Sequence, residues 1–147
     1  MRISQILRGK RPDVVAISPD ASVRSAITLM NREHVGALVV IDGDQRLLGV
    51  ISERDIIQSL DSEYVDLTIM KVSGIMRIDG PTASLDDTLQ SVMEVMTHAR
   101  ARHVPIMKYG RPVGIVSIGD VVKSRLDETM KENSVLQDIA RNHWLTS

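Results

Sequence analysis

There is no cysteine among the 147 residues, so disulfides, thiolate metal sites and cysteine nucleophiles are excluded. Phenylalanine is also missing, and one Trp and two Tyr are too few for a base-stacking platform. Charge of neither sign is in excess: 18 basic against 19 acidic residues leave a net −1 and no broad electrostatic footprint for nucleic acid. No apolar run approaches the roughly 20 residues that cross a bilayer. Met1 to Lys10 lacks the apolar stretch of a secretory signal. These absences together predict a cytoplasmic protein with neither nucleic acid nor membrane as partner. What remains is aliphatic. The 43% hydrophobic content is ordinary for a globular chain, and the core must be built from Val, Ile, Leu and eight Met. The length suits one compact domain or two small fused ones.

The chain repeats itself. Gly49-Val50-Ile51-Ser52-Glu53-Arg54-Asp55-Ile56-Ile57 recurs 65 residues later as Gly114-Ile115-Val116-Ser117-Ile118-Gly119-Asp120-Val121-Val122. Ser22-Val23, Ala26 and Met30 match Thr88-Leu89, Val92 and Met96 at an offset of 66, and Ala37-Leu38-Val39-Val40 aligns with Val104-Pro105-Ile106-Met107 at 67. Each copy reads as β-α-β-β-α. In copy one a short apolar run, Val14 to Ile17, precedes Ser22, a good helix N-cap. Val23, Ala26, Ile27 and Met30 then form one apolar helical face. Ala37 to Ile41 has strand length and reads as buried on both faces. Asp42-Gly43-Asp44 signals a turn, Leu47 to Ile51 returns, and Ser52 opens a second helix to about Leu60.

In copy two the elements are a helix from Leu89 to about Thr97, a strand from Val104 to Met107, a turn at Lys108-Tyr109-Gly110, a strand from Val113 to Val116 and a helix from Ser117. A unit of about 60 residues with a one-sided sheet buries too little surface alone. The expected fold is therefore α+β: two repeats packed sheet to sheet with pseudo-two-fold symmetry, plus a C-terminal helical tail. The expected domains are residues 1–65, 66–125 and the tail 126–147, with Ser73-Gly74-Ile75-Met76 a short helical approach to copy two. Leu126, Met130, Leu136 and Ile139 give the tail an imperfect apolar stripe suited to docking on the module or on a partner subunit.

The chemistry concentrates where a strand ends and a helix begins, at Ser52 with Asp55 and at Ser117 with Asp120. Ser-x-x-Asp is close to a capping box, in which the acid bonds back to the N-cap amide. It can also hold a ligand. Helix N-termini offer free amides suited to phosphate. A carboxylate there can accept hydrogen bonds from both hydroxyls of a ribose, as acids do in other nucleotide folds. The pattern occurs twice, each time after a glycine that permits close approach.

Cationic groups gather in His98-Ala99-Arg100-Ala101-Arg102-His103, just before a strand, where Arg donors suit phosphate oxygens. Arg100 reads equally well as a solvated charge; Arg102 and His103 abut the strand. Copy one has Asn31-Arg32-Glu33-His34-Val35-Gly36 there, with an acid among them. Copy two is therefore expected to hold a phosphorylated ligand more tightly, with Arg54 partly compensating in copy one. Catalytic signals are weak. His34, His98, His103 and His143 are scattered, and neither a Gly-x-x-x-x-Gly-Lys-Ser/Thr loop nor a Gly-x-Gly-x-x-Gly occurs. Asp86-Asp87 near Ser84 reads as helix-start capping.

These residues resemble a known family. The doubled unit closed by Gly-Val-Ile-Ser-Glu-Arg-Asp and Gly-Ile-Val-Ser-Ile-Gly-Asp, with Val35-Gly36-Ala37-Leu38-Val39-Val40 and Arg102-His103-Val104-Pro105-Ile106 opening the second strands, is similar to a pair of cystathionine-β-synthase (CBS) domains. The resemblance covers about residues 1 to 125 and implies a stand-alone tandem module of bacterial type. It implies regulatory binding of AMP, ADP or ATP, and in some members S-adenosylmethionine or NAD(H), in two pseudo-equivalent clefts. By position, Asp120 would hold the ribose diol with Ser117 nearby, His103, Val104 and Pro105 would line the adenine side, and Arg102 would face phosphate. Ala16, Ile17 and the turn to Ala21 would join this main site from the other copy. The second site would use Asp55, Ser52, Gly36 and Ala37, with Thr82 from copy two. Copy one departs from the pattern in Glu33 and in Gly36 where copy two has His103. The resemblance also implies a homodimer of two such pairs.

Three functions follow. The first is a sensor of cellular energy or redox state that binds an adenine nucleotide and controls an unidentified partner protein. The second is a ligand-independent dimerisation or interaction module, in which Ser52 and Ser117 are only caps. The third, a nucleotide hydrolase, has no metal or nucleophile cluster behind it, and the expectation is that the chain is no enzyme.

Overall fold

The computed structural model describes residues 1–11, 13–61 and 64–146, and the side chains of 143–146, His143 among them, lie outside that description. Copy one contributes α1 (Ile3–Arg8), β1 (Ala16–Ile17), α2 (Val23–Glu33), β2 (Ala37–Ile41), β3 (Leu47–Ser52) and α3 (Glu53–Ser59). A single 3-10 turn, Val72–Gly74, joins it to β4 (Ala83–Ser84), α4 (Leu89–Ala99), β5 (His103–Lys108), β6 (Arg111–Ser117) and α5 (Ile118–Thr146). Each copy forms a three-stranded sheet in which the first strand pairs parallel to the second and the second antiparallel to the third. The fold is the expected α+β pair of β-α-β-β-α repeats with a helical tail, which continues from α5 without a break.

The helices form for local reasons. Ser22 and Thr88 cap α2 and α4 by accepting from the amides of Ser25 and Ser91. Val23, Ala26 and Met30, and their counterparts Leu89, Val92 and Met96, face inward at helical spacing. Between β5 and β6, Tyr109 and Gly110 both take positive φ, as a two-residue hairpin requires. In the copy-one hairpin, Asp42 Oδ1 accepts from the amides of Asp44 and Arg46.

Two apolar clusters result. One joins Leu38, Val40, Ile51 and α2; the other joins Val104, Ile106, Val116 and α4. Val39 and Pro105 are fully buried yet belong to neither cluster. Strand residues alternate faces, so these two lie on the opposite side, where the sheets meet and β2 contacts β6.

The strand register corrects the alignment of the copies. Ala37 pairs with Ser52 and Val40 with Gly49, while His103 pairs with Ser117 and Ile106 with Gly114. The Gly36 carbonyl accepts from Glu53 N, and the Arg102 carbonyl accepts from Ile118 N in the same way. The second strands therefore correspond at an offset of 66, not 67: His103 is the counterpart of Ala37, and Arg102 of Gly36. Runs of aliphatic residues match almost equally well one position apart, and only the hydrogen bonds decide.

Two further features differ from expectation. Helix α1 was not anticipated, and it docks on the far copy: Ile3 and Ile6 are buried with the copy-two cluster, and the amides of Ile3 and Ser4 donate to the carbonyls of Asp87 and Leu85. The segment at Val72–Gly74, expected to approach copy two, instead packs on copy one. Val72 is fully buried there, and the amides of Val72 and Ser73 donate to the carbonyls of Ala21 and Pro19. The tail stripe does not dock on the module: Val122, Leu126, Met130, Leu136 and Ile139 are all more than half exposed.

Gly49 makes one crossing possible. A Cβ at Gly49 would stand 2.5 Å from the Arg77 carbonyl oxygen, whose residue bridges Val50. Gly43, by contrast, has nothing within 4 Å of a built Cβ. Gly49→Ala is therefore expected to cost about 1–3 kcal/mol as overpacking, lowering the melting temperature by several degrees, while Gly43→Ala leaves it within about a degree. Thermal unfolding followed by circular dichroism checks the pair, and equal melting temperatures would contradict the crowding.

Candidate functional site

The strand-to-helix junctions are both built as capping boxes. In copy one the Ser52 amide and hydroxyl each donate to Asp55 Oδ2 at 2.9 Å, and the Asp55 amide donates back to Ser52 Oγ at 3.3 Å. In copy two the Ser117 amide donates to Asp120 Oδ2 at 2.8 Å and the Asp120 amide to Ser117 Oγ at 3.1 Å. Both carboxylates are half-buried. The capping geometry is thus real at both places, and what lies beside each carboxylate separates the two.

Beside Asp55 opens a cleft of about 620 Å³, well within the range of small-molecule sites. One wall is the end of β3 with Ser52, Glu53, Arg54, Asp55 and Gly36. The facing wall is the approach to β4, Arg77 and Asp79 to Thr82, with the opening of β5, Arg100 to His103, and Pro105. Among the described residues the hydrogen bonds of the Asp55 carboxylate all run through Oδ2, which leaves Oδ1 available to another donor. Arg54, Arg77, Arg100 and Arg102 line the cleft, and none has an ion pair or a side-chain hydrogen bond among the described residues. Four unspent guanidinium groups around one concavity outnumber the carboxylates of Glu53, Asp55 and Asp79 that share it.

Beside Asp120 the arrangement is different. Lys10 Nζ donates to Asp120 Oδ2 at 2.6 Å and to the Ile115 carbonyl at 2.8 Å. Burial works against ionisation of Asp120, but the Lys10 hydrogen bond, the Ser117 amide and the nearby positive charge outweigh it and hold the carboxyl below its ordinary range. Next to it Arg11 is tied to Glu33 through Oε2 at 2.9 Å and the backbone carbonyl at 2.7 Å.

The residues expected to act together are thus divided. Arg102, His103 and Pro105, grouped with Asp120 in the sequence, line the cleft of Asp55 instead, together with Gly36, Ser52, Arg54 and Thr82. Ser117 and Asp120 stand on the other side, and Ala16, Ile17, Ala21, Ala37 and Val104 are not among the residues lining the open cleft. Ala37 and Val104 are buried in the sheets. Arg102 and His103, expected beside Asp120, stand beside Asp55 because β5 opens toward the end of β3 across the pseudo-two-fold axis. Sequence reasoning missed Arg77, Asp79, Gly80 and Pro81, although their place just before Thr82 pointed to them, and it missed Lys10 altogether.

His103 lies between the two halves. A Cβ on Gly36 would stand 3.5 Å from His103 Nε2 and 3.4 Å from Glu53 Oε2, so the ring and the Glu53 carboxylate both lie at contact distance from this position. Burial pushes the His103 pKa below its usual 6.5 and prevails over the Glu53, Asp120 and Asp55 carboxylates, with Lys10 acting in the same direction as burial.

No helix among the described residues is long and apolar enough to cross a membrane, and no cluster of His, Asp and Glu among them could hold a metal ion. Residues 3–62 and 72–127 match the CBS domain family. The CBS-domain containing protein ATU1752 from Agrobacterium tumefaciens superposes with a TM-score of 0.79 at 36% identity, over 85% of this chain and 99% of that one. The CBS domain protein PAE2072 from Pyrobaculum aerophilum, solved in complex with AMP, superposes with a TM-score of 0.73 at 30% identity, over 82% and 89% of the two chains. The mitochondrial CBS domain-containing protein CBSX3 of Arabidopsis thaliana is 35% identical over 117 residues, 77% of this chain and 57% of the plant protein.

The His103 environment has a definite pH signature. Below about pH 6.5 an unfolded chain takes up a proton that folded His103 resists, so the folded state loses stability as pH falls. The carboxylates with lowered pKa, Glu33, Asp66 and Asp120, lose their contribution only at more acid pH. His103→Gln should therefore flatten the fall in melting temperature between pH 7 and 5.5. An unchanged slope in that window would contradict the buried-imidazole account.

Proposed function

The chain belongs to the CBS-domain family, and on that premise we propose that it is a regulatory module that binds one of the adenine nucleotides, AMP, ADP, ATP or NAD(H), in the Asp55 cleft. The observation that carries this reading is the pairing of a half-buried carboxylate with four arginines that have no ion pair among the described residues, around one open concavity. In the proposed pose Asp55 Oδ1 accepts from the ribose hydroxyls. Arg54, Arg77, Arg100 and Arg102 face the phosphates, where planar guanidinium donors bind strongly. The base lies toward Gly36, His103 and Pro105. The AMP complex of the Pyrobaculum protein supports the ligand class.

The proposed role is control rather than catalysis, in the cytoplasm, with the bound nucleotide reporting energy or redox state to a partner protein. A ligand shifts such a switch only through unequal affinity for two states. Ile118, Val122, Leu126 and Met130 recur at helical spacing on the exposed face of α5. A second copy of this chain is the proposed cover for that stripe, giving a homodimer. The alternative, an interaction module that binds no ligand, keeps the dimer and reduces Ser52 and Ser117 to caps.

Isothermal titration of the full chain with AMP, ADP, ATP, NAD(H) and S-adenosylmethionine separates the readings. Asp55→Asn is expected to weaken the tightest of these ligands about tenfold or more, the scale of one hydrogen bond to a charged group. Asp120→Asn is expected to weaken it less. Absence of heat from every ligand with folded protein would leave the ligand-free reading standing, and equal losses in the two variants would contradict the choice of cleft.

A further inference from the structure

The two lead-in segments of this pseudo-symmetric molecule are not alike. Ile3-Ser4-x-Ile6-Leu7 and Val72-Ser73-x-Ile75-Met76 are the same pattern, and each meets the glycine of the far copy's third strand. A Cβ on Gly114 would stand 3.0 Å from Leu7, and one on Gly49 would stand 3.3 Å from Met76 Sδ. From Met76 the chain reaches β4 at Ala83, seven residues on. From Leu7 it reaches the corresponding residue of β1, Ile17, ten residues on. The shorter segment crosses directly, with Arg77 and Val50 exchanging backbone hydrogen bonds at 3.0 and 2.8 Å. The longer one carries Lys10, whose ammonium reaches Ile115, the counterpart of Val50, and then Asp120, the counterpart of Asp55.

We propose that Lys10 is an internal stopper: it occupies the Asp120 seat, so that each chain takes a single nucleotide, in the Asp55 cleft. The inference rests on the nucleotide reading above and decides which of the two related clefts is in use. The ammonium neutralises the carboxylate that a ribose diol would otherwise approach and stands in the space beside it. A partly buried pair, with side chains 32% and 24% exposed, is screened less than a surface pair. The neighbouring cation is spent in the same way, since Arg11 is held by Glu33. Around Asp55 none of the lining arginines has an ion pair or a side-chain hydrogen bond among the described residues. A ligand entering at Asp120 must therefore displace a bound cation, and one entering at Asp55 meets no such side chain on the carboxylate among the described residues.

The test is the stoichiometry of AMP binding to the full chain by isothermal titration, with folding checked by circular dichroism. Wild type is expected to bind one AMP per chain. Lys10→Met is expected to bind two, the second at least tenfold tighter than any second event in wild type, and Lys10→Met with Asp120→Asn is expected to return to one. Lys10→Gln serves as the second variant should Lys10→Met fold poorly. Two sites in wild type, or one in both Lys10 variants, would overturn the stopper while leaving the nucleotide reading intact. Binding only after Lys10 is replaced would uphold the stopper and overturn the Asp55 cleft as the working site. No heat from any variant, with AMP, ADP, ATP and NAD(H) each titrated, would overturn both.

Discussion

Each copy is completed by a piece of chain that belongs, in sequence, to the other. Ile3 and Ile6 fill the copy-two core, and Val72 fills the copy-one core. Burying an aliphatic side chain of this size contributes about 1.5–3 kcal/mol relative to leaving it exposed, so neither copy has a closed core without its exchanged segment. The exchange also dictates where the chain goes next. After Val72 it must cross β3 at Gly49, which lays Arg77 to Thr82 along one side of the Asp55 cleft. After Ile6 it crosses beside Gly114, which delivers Lys10 to Asp120. The clefts are consequences of how the core is closed.

The same constraint explains why a nearly symmetric molecule presents asymmetric chemistry. The two junctions are alike down to the reciprocal serine and aspartate hydrogen bonds. The difference lies in three residues of lead-in, in the first helical residues, Glu53-Arg54 against Ile118-Gly119, and in two strand openings, Gly36-Ala37 in copy one against Arg102-His103 in copy two. Because β5 opens across the interface, Arg102 and His103 of copy two lie beside the carboxylate of copy one. Gly36 of copy one lies beside the His103 ring. Arginines thus gather beside Asp55, while beside Asp120 the cation is spent on the carboxylate.

Much of this was legible in the sequence. The α2 and α4 faces follow from apolar residues three and four apart behind Ser22 and Thr88, and the serine-aspartate junctions follow from a repeat that keeps Gly, Ser and Asp and exchanges only Ile for Val at four further positions. What was not legible has physical causes. Helix α1 has six residues, too few for periodicity to mark it, although its Ile-Ser-x-Ile-Leu pattern recurs at Val72. The phase of β2 against β5 slipped by one because neighbouring aliphatic residues are interchangeable until a hydrogen bond is assigned. The partnership of Arg102 and His103 with Asp55 is a fact of the interface between copies, and spacing along one chain carries no information about which junction a strand opening faces. Lys10 reads as an ordinary exposed cation until its partner, more than a hundred residues away, is placed beside it.

The proposed nucleotide cleft lies at Asp55. Amide chemical-shift mapping of the uniformly nitrogen-15-labelled full chain during addition of AMP tests it most directly. The account predicts saturable shifts confined to Gly36, Ser52 to Asp55, Arg77 to Thr82 and Arg100 to His103, with Ser117 to Asp120 nearly still. Shifts centred on Ser117 to Asp120, with those around Asp55 unmoved, would contradict it.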